Sequence, residues 1–403
     1  MSKSTGHLRF QLHPHGLHLD CGFISINKKG HAVCGDYFSI EETDLHHILV
    51  LSDGQGSGVR ANIPATLTAK MLSRMIAGNI SVPKAVTSVA AALPVNPVSG
   101  LSYATFTVLD MTEDKCYLLQ YDNPDAILLR DGKLLDYPIT EIVQGEQELH
   151  ESLLSLQEND VLVITSDGVT NAGMGKLTDE GWGRRAFAAW LQRFYKPEYT
   201  ATELAASVCY AVRDLNEGIF DDDMTVLVMK LIQPCTVNLM IGPPRNADQD
   251  QEYLEGFFSL PGKHVVCGGT TSAVVARHLG KKVMTVQDTD TDGVPCYLRI
   301  PGVDLATEGQ LTLDKLLDYY EYYQADPVSL KRTLKMKNGA SLLWELLFLK
   351  ATEVNLFYGN AYNPAYDSVH AGERTKKETA EQLIADLRSD GIKVNVRFWD
   401  SSS

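Results

Sequence analysis

Four acidic positions have the residue types and settings to do chemistry. Asp36 follows Gly35, Asp53 opens the stretch Asp53-Gly54-Gln55-Gly56-Ser57-Gly58, Asp167 precedes Gly168, and Asp221-Asp222-Asp223 precede Met224-Thr225. Apolar runs at 48–51 and 161–164 predict buried strands that stop just short of Asp53 and Asp167. A single Asp-Gly pair ordinarily marks a turn, so the ordered set carries the argument. If the strand ends converge, several carboxylates meet, and burying them unpaired is prohibitively costly. Bound cations resolve that cost. Oxygen donors without His or Cys favour Mg²⁺ or Mn²⁺ over zinc.

Those positions need a scaffold of strands whose ends come together. The spacing predicts a strand over 22–27, a turn at Lys28-Lys29-Gly30, and a strand-like stretch over 32–40 that carries Asp36. The lysine pair can meet a phosphate, but a solvated turn is the preferred reading. An amphipathic helix follows over 59–76 and another over 82–93, stopped by Pro94. Strands over 103–109, 116–121 and 126–129 lie close in sequence, which predicts antiparallel hairpins. An acidic stretch over 146–158 leads to the strand before Asp167, helices follow over 186–194 and 201–215, and a strand over 226–231 comes after the aspartate run. This order fits antiparallel sheets covered by helices, an α+β class, rather than regular parallel alternation. The opening segment, with His7, His13, His15 and His18, reads as a solvated loop.

At 403 residues the chain exceeds one ordinary core, and a first domain over 1–233 followed by a second over 235–403 is expected, with the break at Pro234. The second reads as α/β. It has strands over 236–241 and 354–358, a glycine turn Gly268-Gly269-Thr270-Thr271-Ser272 before a helix over 273–279, and a closing helix over 376–389 with a strand over 393–398. That glycine turn is neither a Walker loop nor a full dinucleotide fingerprint, and a tight strand-to-helix turn is preferred. The sequence over 288–293, Asp-Thr-Asp-Thr-Asp-Gly, lacks the distal Glu of a calcium loop. Net charge is −15, from 36 basic and 51 acidic residues, which argues against nucleic acid or an anionic membrane as partner. Seven scattered cysteines without a C-x-x-C pair suggest neither disulfides nor a zinc knuckle. The polar start and the lack of a long apolar run make a cytoplasmic protein the expectation.

On Gly35-Asp36, Ser52-Asp53-Gly54-Gln55-Gly56-Ser57-Gly58, Thr165-Ser166-Asp167-Gly168-Val169 and Asp222-Asp223-Met224-Thr225, the chain resembles the metal-dependent protein phosphatases of type 2C, in the bacterial branch typified by stage II sporulation protein E. The resemblance covers about residues 20–233. It implies an α-β-β-α sandwich of two antiparallel sheets with two Mn²⁺ or Mg²⁺ ions at one edge. Asp53 would bridge both ions, the Gly54 carbonyl would ligate one, and Asp36, Asp167 and Asp222 would complete the site. Asp223 is the alternative to Asp222. Asp53 and Asp167 would be catalytic through a water acidified by the ion pair, with no side-chain nucleophile. Gln55 stands where eukaryotic relatives carry a histidine proposed as general acid, so the leaving-group proton must come from solvent or elsewhere. The expected activity is hydrolysis of phosphoserine and phosphothreonine in a protein substrate, with a regulatory or partner-binding second domain. A homodimer is admissible. Two other readings stay open: a weakly active or silent phosphatase-fold sensor or scaffold, and a bifunctional chain using the second domain's glycine turn.

Overall fold

A computed structural model describes residues 3–12, 16–93, 104–112, 115–144, 147–244, 250–325, 337–359 and 375–399. His13, His15 and Pro94 lie outside the described residues. The chain divides into two compact units, Met1–Gln233 and Pro234–Ser403.

In the first unit, β1 (Lys3–Gln11) and β2 (His18–Ile26) form a hairpin. β3 (Tyr37–Glu42) and β4 (His47–Asp53) follow, then α1 (Val59–Ala77) and α2 (Val82–Ala92). Next come β5 (Thr105–Thr112), β6 (Lys115–Tyr121), β7 (Ile127–Arg130), β8 (Lys133–Leu134), β9 (Thr140–Gln144), β10 (Gln147–Ser155) and β11 (Val161–Thr165). The short α3 (Asp167–Thr170), α4 (Arg184–Phe194), α5 (Ala201–Leu215) and β12 (Met224–Ile232) complete the unit. One sheet runs β1-β2-β12-β11-β7-β8 and the other β3-β4-β5-β6-β10-β9, every pairing antiparallel.

The apolar run of β4 follows from its place between two layers. Leu49 and Leu51 pack toward the other sheet with Leu19, Cys21, Ile164 and Leu227, while Ile48 and Val50 face α1 and α2 at Leu72, Ile76 and Val86. Both faces of the strand are dry, so period-2 alternation is lost. Each such side chain contributes about 1.5–3 kcal/mol by leaving water. On the opposite face α5 packs on β2 and β12, so close that a Cβ at Gly22 would lie 2.3 Å from the Thr202 amide nitrogen. The layers are therefore helix, sheet, sheet, helix, the sandwich expected above.

Three local expectations are corrected. The opening segment is not a solvated loop: β1 pairs along the whole of β2, and His7 and Arg9 are buried. Asp20 makes this tolerable, because its carboxylate meets both His7 and Arg9 and accepts the Ala201 amide at 2.9 Å. The acidic stretch before β11 holds a strand, β10, paired with both β6 and β9. Burial alternates only over its last residues, with Ser152 and Leu154 buried and Leu153 and Ser155 exposed, too short a run to stand out among the charged residues before it. Asp36 lies in the loop just ahead of β3 rather than inside a strand.

The second unit is α/β. Its parallel strands β13 (Thr236–Ile241), β14 (Lys263–Cys267), β17 (Leu305–Thr307), β18 (Glu353–Gly359) and β19 (Lys393–Trp399) lie in the order β17-β14-β13-β18-β19. Two short antiparallel strands, β15 (Met284–Thr285) and β16 (Leu298–Arg299), extend the β17 edge. α6 (Asp250–Phe258) and α7 (Gly269–His278) cover one face through Tyr253, Phe257 and Val275. α8 (Gln310–Ala325), α9 (Gly339–Trp344, continued as a π-helical turn over Glu345–Lys350) and α10 (Lys376–Ser389) cover the other through Leu316, Trp344 and Leu383. Helix α7 begins at Gly269, inside the glycine turn, earlier than the apolar spacing indicates.

Candidate metal centre

The acidic positions meet at one edge of the sandwich. β4 ends at Asp53, α3 begins at Asp167 just beyond β11, and β12 begins immediately after Asp223. Asp36 is brought in by the loop before β3, and Asn62 of α1 holds that loop by donating from Nδ2 to the Cys34 carbonyl at 2.9 Å. Asp53, Gly54, Asp167, Asp222 and Asp223 line a cavity of about 450 Å³ together with Lys28, Gln55, Gly56, Ser57, Thr105 and Asp122. Asp36 is buried behind them, 3% exposed.

Glycines make this approach possible. A Cβ at Gly54 would lie 1.9 Å from the Ala61 carbonyl oxygen, where α1 turns over the strand end. A Cβ at Gly168 would lie 2.0 Å from the Asp223 carbonyl oxygen. Larger residues at either position would force β4 from α1, or α3 from β12.

The carboxylates are crowded and under-satisfied. Both oxygens of Asp36 and Oδ2 of Asp223 are buried without a hydrogen-bond partner. Burial pushes Asp36 up to about 7; the Ser166 and Thr225 hydroxyls nearby favour its charge without reaching hydrogen-bond geometry, and Asp223 and Asp167 oppose it. Burial, then the carboxylates of Asp36 and Asp167, push Asp53 up to about 10. Asp53 therefore stands between Asp36 and Asp167, in reach of both. Asp167 is raised by burial of its carboxylate and by Asp222, against the opposing help of Asp53 and Asn171. Asn171 Nδ2 donates to Asp167 Oδ2 at 3.1 Å.

The aspartate run divides by environment. Asp221 is exposed and pairs with Lys176. Asp222 has a side chain 44% exposed, with Lys28 Nζ at 3.7 Å. Asp223 is 4% exposed, and its Oδ1 accepts the Lys28 amide at 2.8 Å. Asp222 thus acts on Asp167 at the rim, and Asp223 on Asp36 below.

Two lining residues were missed or set aside by the sequence reading. Lys28, for which a solvated turn was preferred over a phosphate contact, lines the cavity, because the turn after β2 folds back onto Asp223. Asp122 follows β6 in the left-handed region, φ 53°, and adds another carboxylate. Its signal was available, since it too follows directly on an apolar strand. Gln55 is exposed at the cavity wall.

The donors fit hard divalent cations in kind: oxygen only, buried, mutually repelling and in part without partners. Among the described residues no three His, Cys, Asp or Glu side chains already stand as a closed ligand set. A cation would have to draw the carboxylates together.

Residues 43–232 match the family model described as Stage II sporulation protein E (SpoIIE). The chain is 24% identical over 218 residues to Stage II sporulation protein E of Priestia megaterium, covering 53% of this chain and 36% of that protein. To the Bacillus subtilis (strain 168) protein of the same description it is 22% identical over 210 residues, covering 51% of this chain and 24% of that protein. The chain thus spans about a third or less of the length of these relatives. Among solved structures, the PP2C phosphatase domain with a fragment of the regulatory domain of SpoIIE from Bacillus subtilis aligns at TM-score 0.46 and 21% identity, over 54% of this chain and 64% of that one. The catalytic domain of the serine/threonine protein phosphatase PstP in complex with two manganese ions aligns at TM-score 0.38 and 17% identity, over 54% of this chain and all (100%) of that one. Over residues 43–232 the N-terminal unit of this chain is therefore similar to the PP2C-like Stage II sporulation protein E family.

Proposed function

We propose that the N-terminal unit is a Mn²⁺- or Mg²⁺-dependent phosphatase acting on phosphoserine or phosphothreonine in a protein substrate. One observation carries the reading: Asp53 stands between Asp36 and Asp167 at a cavity that also holds Asp222 and Asp223, with buried carboxylate oxygens lacking partners. Asp36, Asp53, the Gly54 carbonyl, Asp167 and Asp222 or Asp223 would hold two ions. When bound, such ions lower the pKa of water and screen the charge of a phosphoryl group.

The chain's own residues then divide the remaining work. Asp53, near both Asp36 and Asp167, would help hold both ions. Lys28 supplies positive charge at the rim of an otherwise acidic cavity, where a phosphate must enter. Gln55 has no titratable proton, so the leaving-group oxygen would take its proton from solvent or from another group. Asn171 fixes Asp167 through its amide.

The test is hydrolysis of a phosphothreonine peptide by the full chain with added Mn²⁺, compared with Asp53→Asn. Turnover that depends on Mn²⁺ and vanishes in the variant is the expected result. Turnover that persists in the variant overturns the assignment. The open ligand geometry and Gln55 support a second reading, a weakly active scaffold, for which binding of Mn²⁺ without turnover would be the outcome.

A further inference from the structure

Hydrolysis of a phosphoserine or phosphothreonine ester releases an alkoxide, which must gain a proton as its bond to phosphorus breaks. The titratable side chains that line the cavity are aspartates and Lys28. Beside bound cations the aspartates are charged, and the Lys28 ammonium, 3.7 Å from Asp222, is held at an acidic rim. An imidazole is the side chain that exchanges protons near neutrality.

One imidazole stands directly behind the cavity wall. His31 Nε2 lies 3.4 Å from Oγ of Ser57, a lining residue just ahead of α1. Three features fix it there. Gly58, at φ 71°, leaves the space that the ring occupies, since a Cβ at that position would lie 2.7 Å from His31 Nδ1. The His31 amide donates to the Lys28 carbonyl at 3.1 Å, closing the turn after β2. Asn27, fully buried, donates from Nδ2 to the His31 carbonyl. The same turn is tied to the metal centre at its other end, where the Lys28 amide donates to Asp223 at 2.8 Å. His31 is exposed, so its ring meets water as well as Ser57.

We propose that His31, acting through Ser57, protonates the leaving alcohol; this rests on the phosphatase reading above and deepens it. As the ester P–O bond breaks, Ser57 Oγ–H gives its proton to the departing oxygen. The Nε2–H of the His31 imidazolium replaces that proton on Ser57. Solvent returns a proton to the exposed ring, and the attacking water releases one to solvent, so ester and water become alcohol and phosphate with no net proton consumed. His31 acts on the substrate only through Ser57, as a positioning residue that keeps the hydroxyl supplied.

The test compares two substrates of the full chain with added Mn²⁺. One is a phosphothreonine peptide, whose alkoxide needs a proton; the other is p-nitrophenyl phosphate, whose phenolate leaves as a stable anion. In His31→Ala, kcat for the peptide falls about a hundredfold with KM little changed, while p-nitrophenyl phosphate loses less than about twofold. Added imidazole restores part of the peptide rate. His31→Gln, which keeps a polar side chain beside Ser57, shows the same split. Ser57→Ala shows it as well, and the double variant is no slower than either single one. The contact is also read without metal: in EDTA the ring nitrogen signals of His31, followed by NMR, differ between the natural chain and Ser57→Ala. Equal losses on both substrates, or no loss on either, make His31 a structural residue and overturn the proposal while the phosphatase reading stands. Unmoved His31 signals do the same. If the natural chain turns over neither substrate with Mn²⁺, both the reading and the proposal are overturned.

Discussion

Gly35 and Asp223 stand so close that a Cβ at position 35 would lie 2.7 Å from Asp223 Oδ2, one of the buried oxygens without a partner. Gly35→Ala should therefore turn the Asp223 carboxylate away from Asp36. Overpacking of this kind costs about 1–3 kcal/mol of stability. If Asp223 serves the centre, Mn²⁺-dependent kcat/KM falls by about tenfold or more, equivalent to ~1.4 kcal/mol in the barrier. A lowered Tm with undiminished kcat/KM would remove Asp223 from the centre and leave Asp222 in its place.

The crowded carboxylates make a pH dependence that metal should reverse. Asp36 titrates near 7 in the folded protein against an ordinary value of 3.8, so the folded state holds more protons across that window. Stability without divalent ions then falls as pH rises from about 4 to 7, by on the order of 4 kcal/mol for this group alone. Thermal melts in EDTA between pH 5 and 8 should show Tm declining, and Mn²⁺ should restore it most at the upper end. A flat profile would mean that the carboxylates are relieved in some other way.

Asp53→Asn should separate stability from function. Without metal, folding must protonate Asp53 at pH 7.5, whereas Asn is neutral without a proton, so the metal-free variant melts higher than the natural chain at pH 7.5. Binding of Mn²⁺, followed by calorimetry, is weakened and turnover is lost. A variant that melts lower in EDTA would contradict the protonation argument.

Asp20 gives the opposite sign. Burial pushes its carboxyl up, but His7 and Arg9 outweigh this and hold it well below the usual carboxylate range. Its contribution is complete above about pH 4 and is lost as pH falls toward the folded value. Asp20→Asn removes the carboxylate that His7 and Arg9 meet in the interior and costs about 3–5 kcal/mol. Urea titration at pH 7 measures that loss; a change below ~1 kcal/mol would show that the ion cluster contributes little net stability.

Lys28→Met tests the one lysine lining the cavity. The change keeps the aliphatic stem, removes the charge, and leaves intact the hydrogen bond that the Lys28 backbone N–H donates to Asp223. KM for a phosphopeptide should rise about tenfold with kcat little changed, as for an interaction worth ~1.4 kcal/mol made in ground and transition states alike. An unchanged KM would return Lys28 to a structural role.

Local pattern alone determined much of this protein. The apolar runs ending at Asp53 and Asp167, the glycines beside them and the aspartate run before Met224 were legible because strand burial and tight turns depend on neighbouring residues. The same locality made α5, β13 and α10 readable. What the sequence could not decide was which strand ends meet. Pairing of β12 with β2 and β11, and of β4 with β3 and β5, brings together residues far apart in the chain. That pairing, together with the packing of one sheet on the other, makes Asp53 the neighbour of both Asp36 and Asp167, buries Asp223 while leaving Asp222 at the rim, and turns Lys28 from a loop residue into a wall of the cavity. It also explains β1: His7 and Arg9 look like a polar terminus until Asp20, on the adjacent strand, supplies the charge that lets them be buried. Lys376 is the parallel case in the second unit, an ordinary first residue of an amphipathic helix whose burial depends on Gly242, more than a hundred residues earlier in the chain.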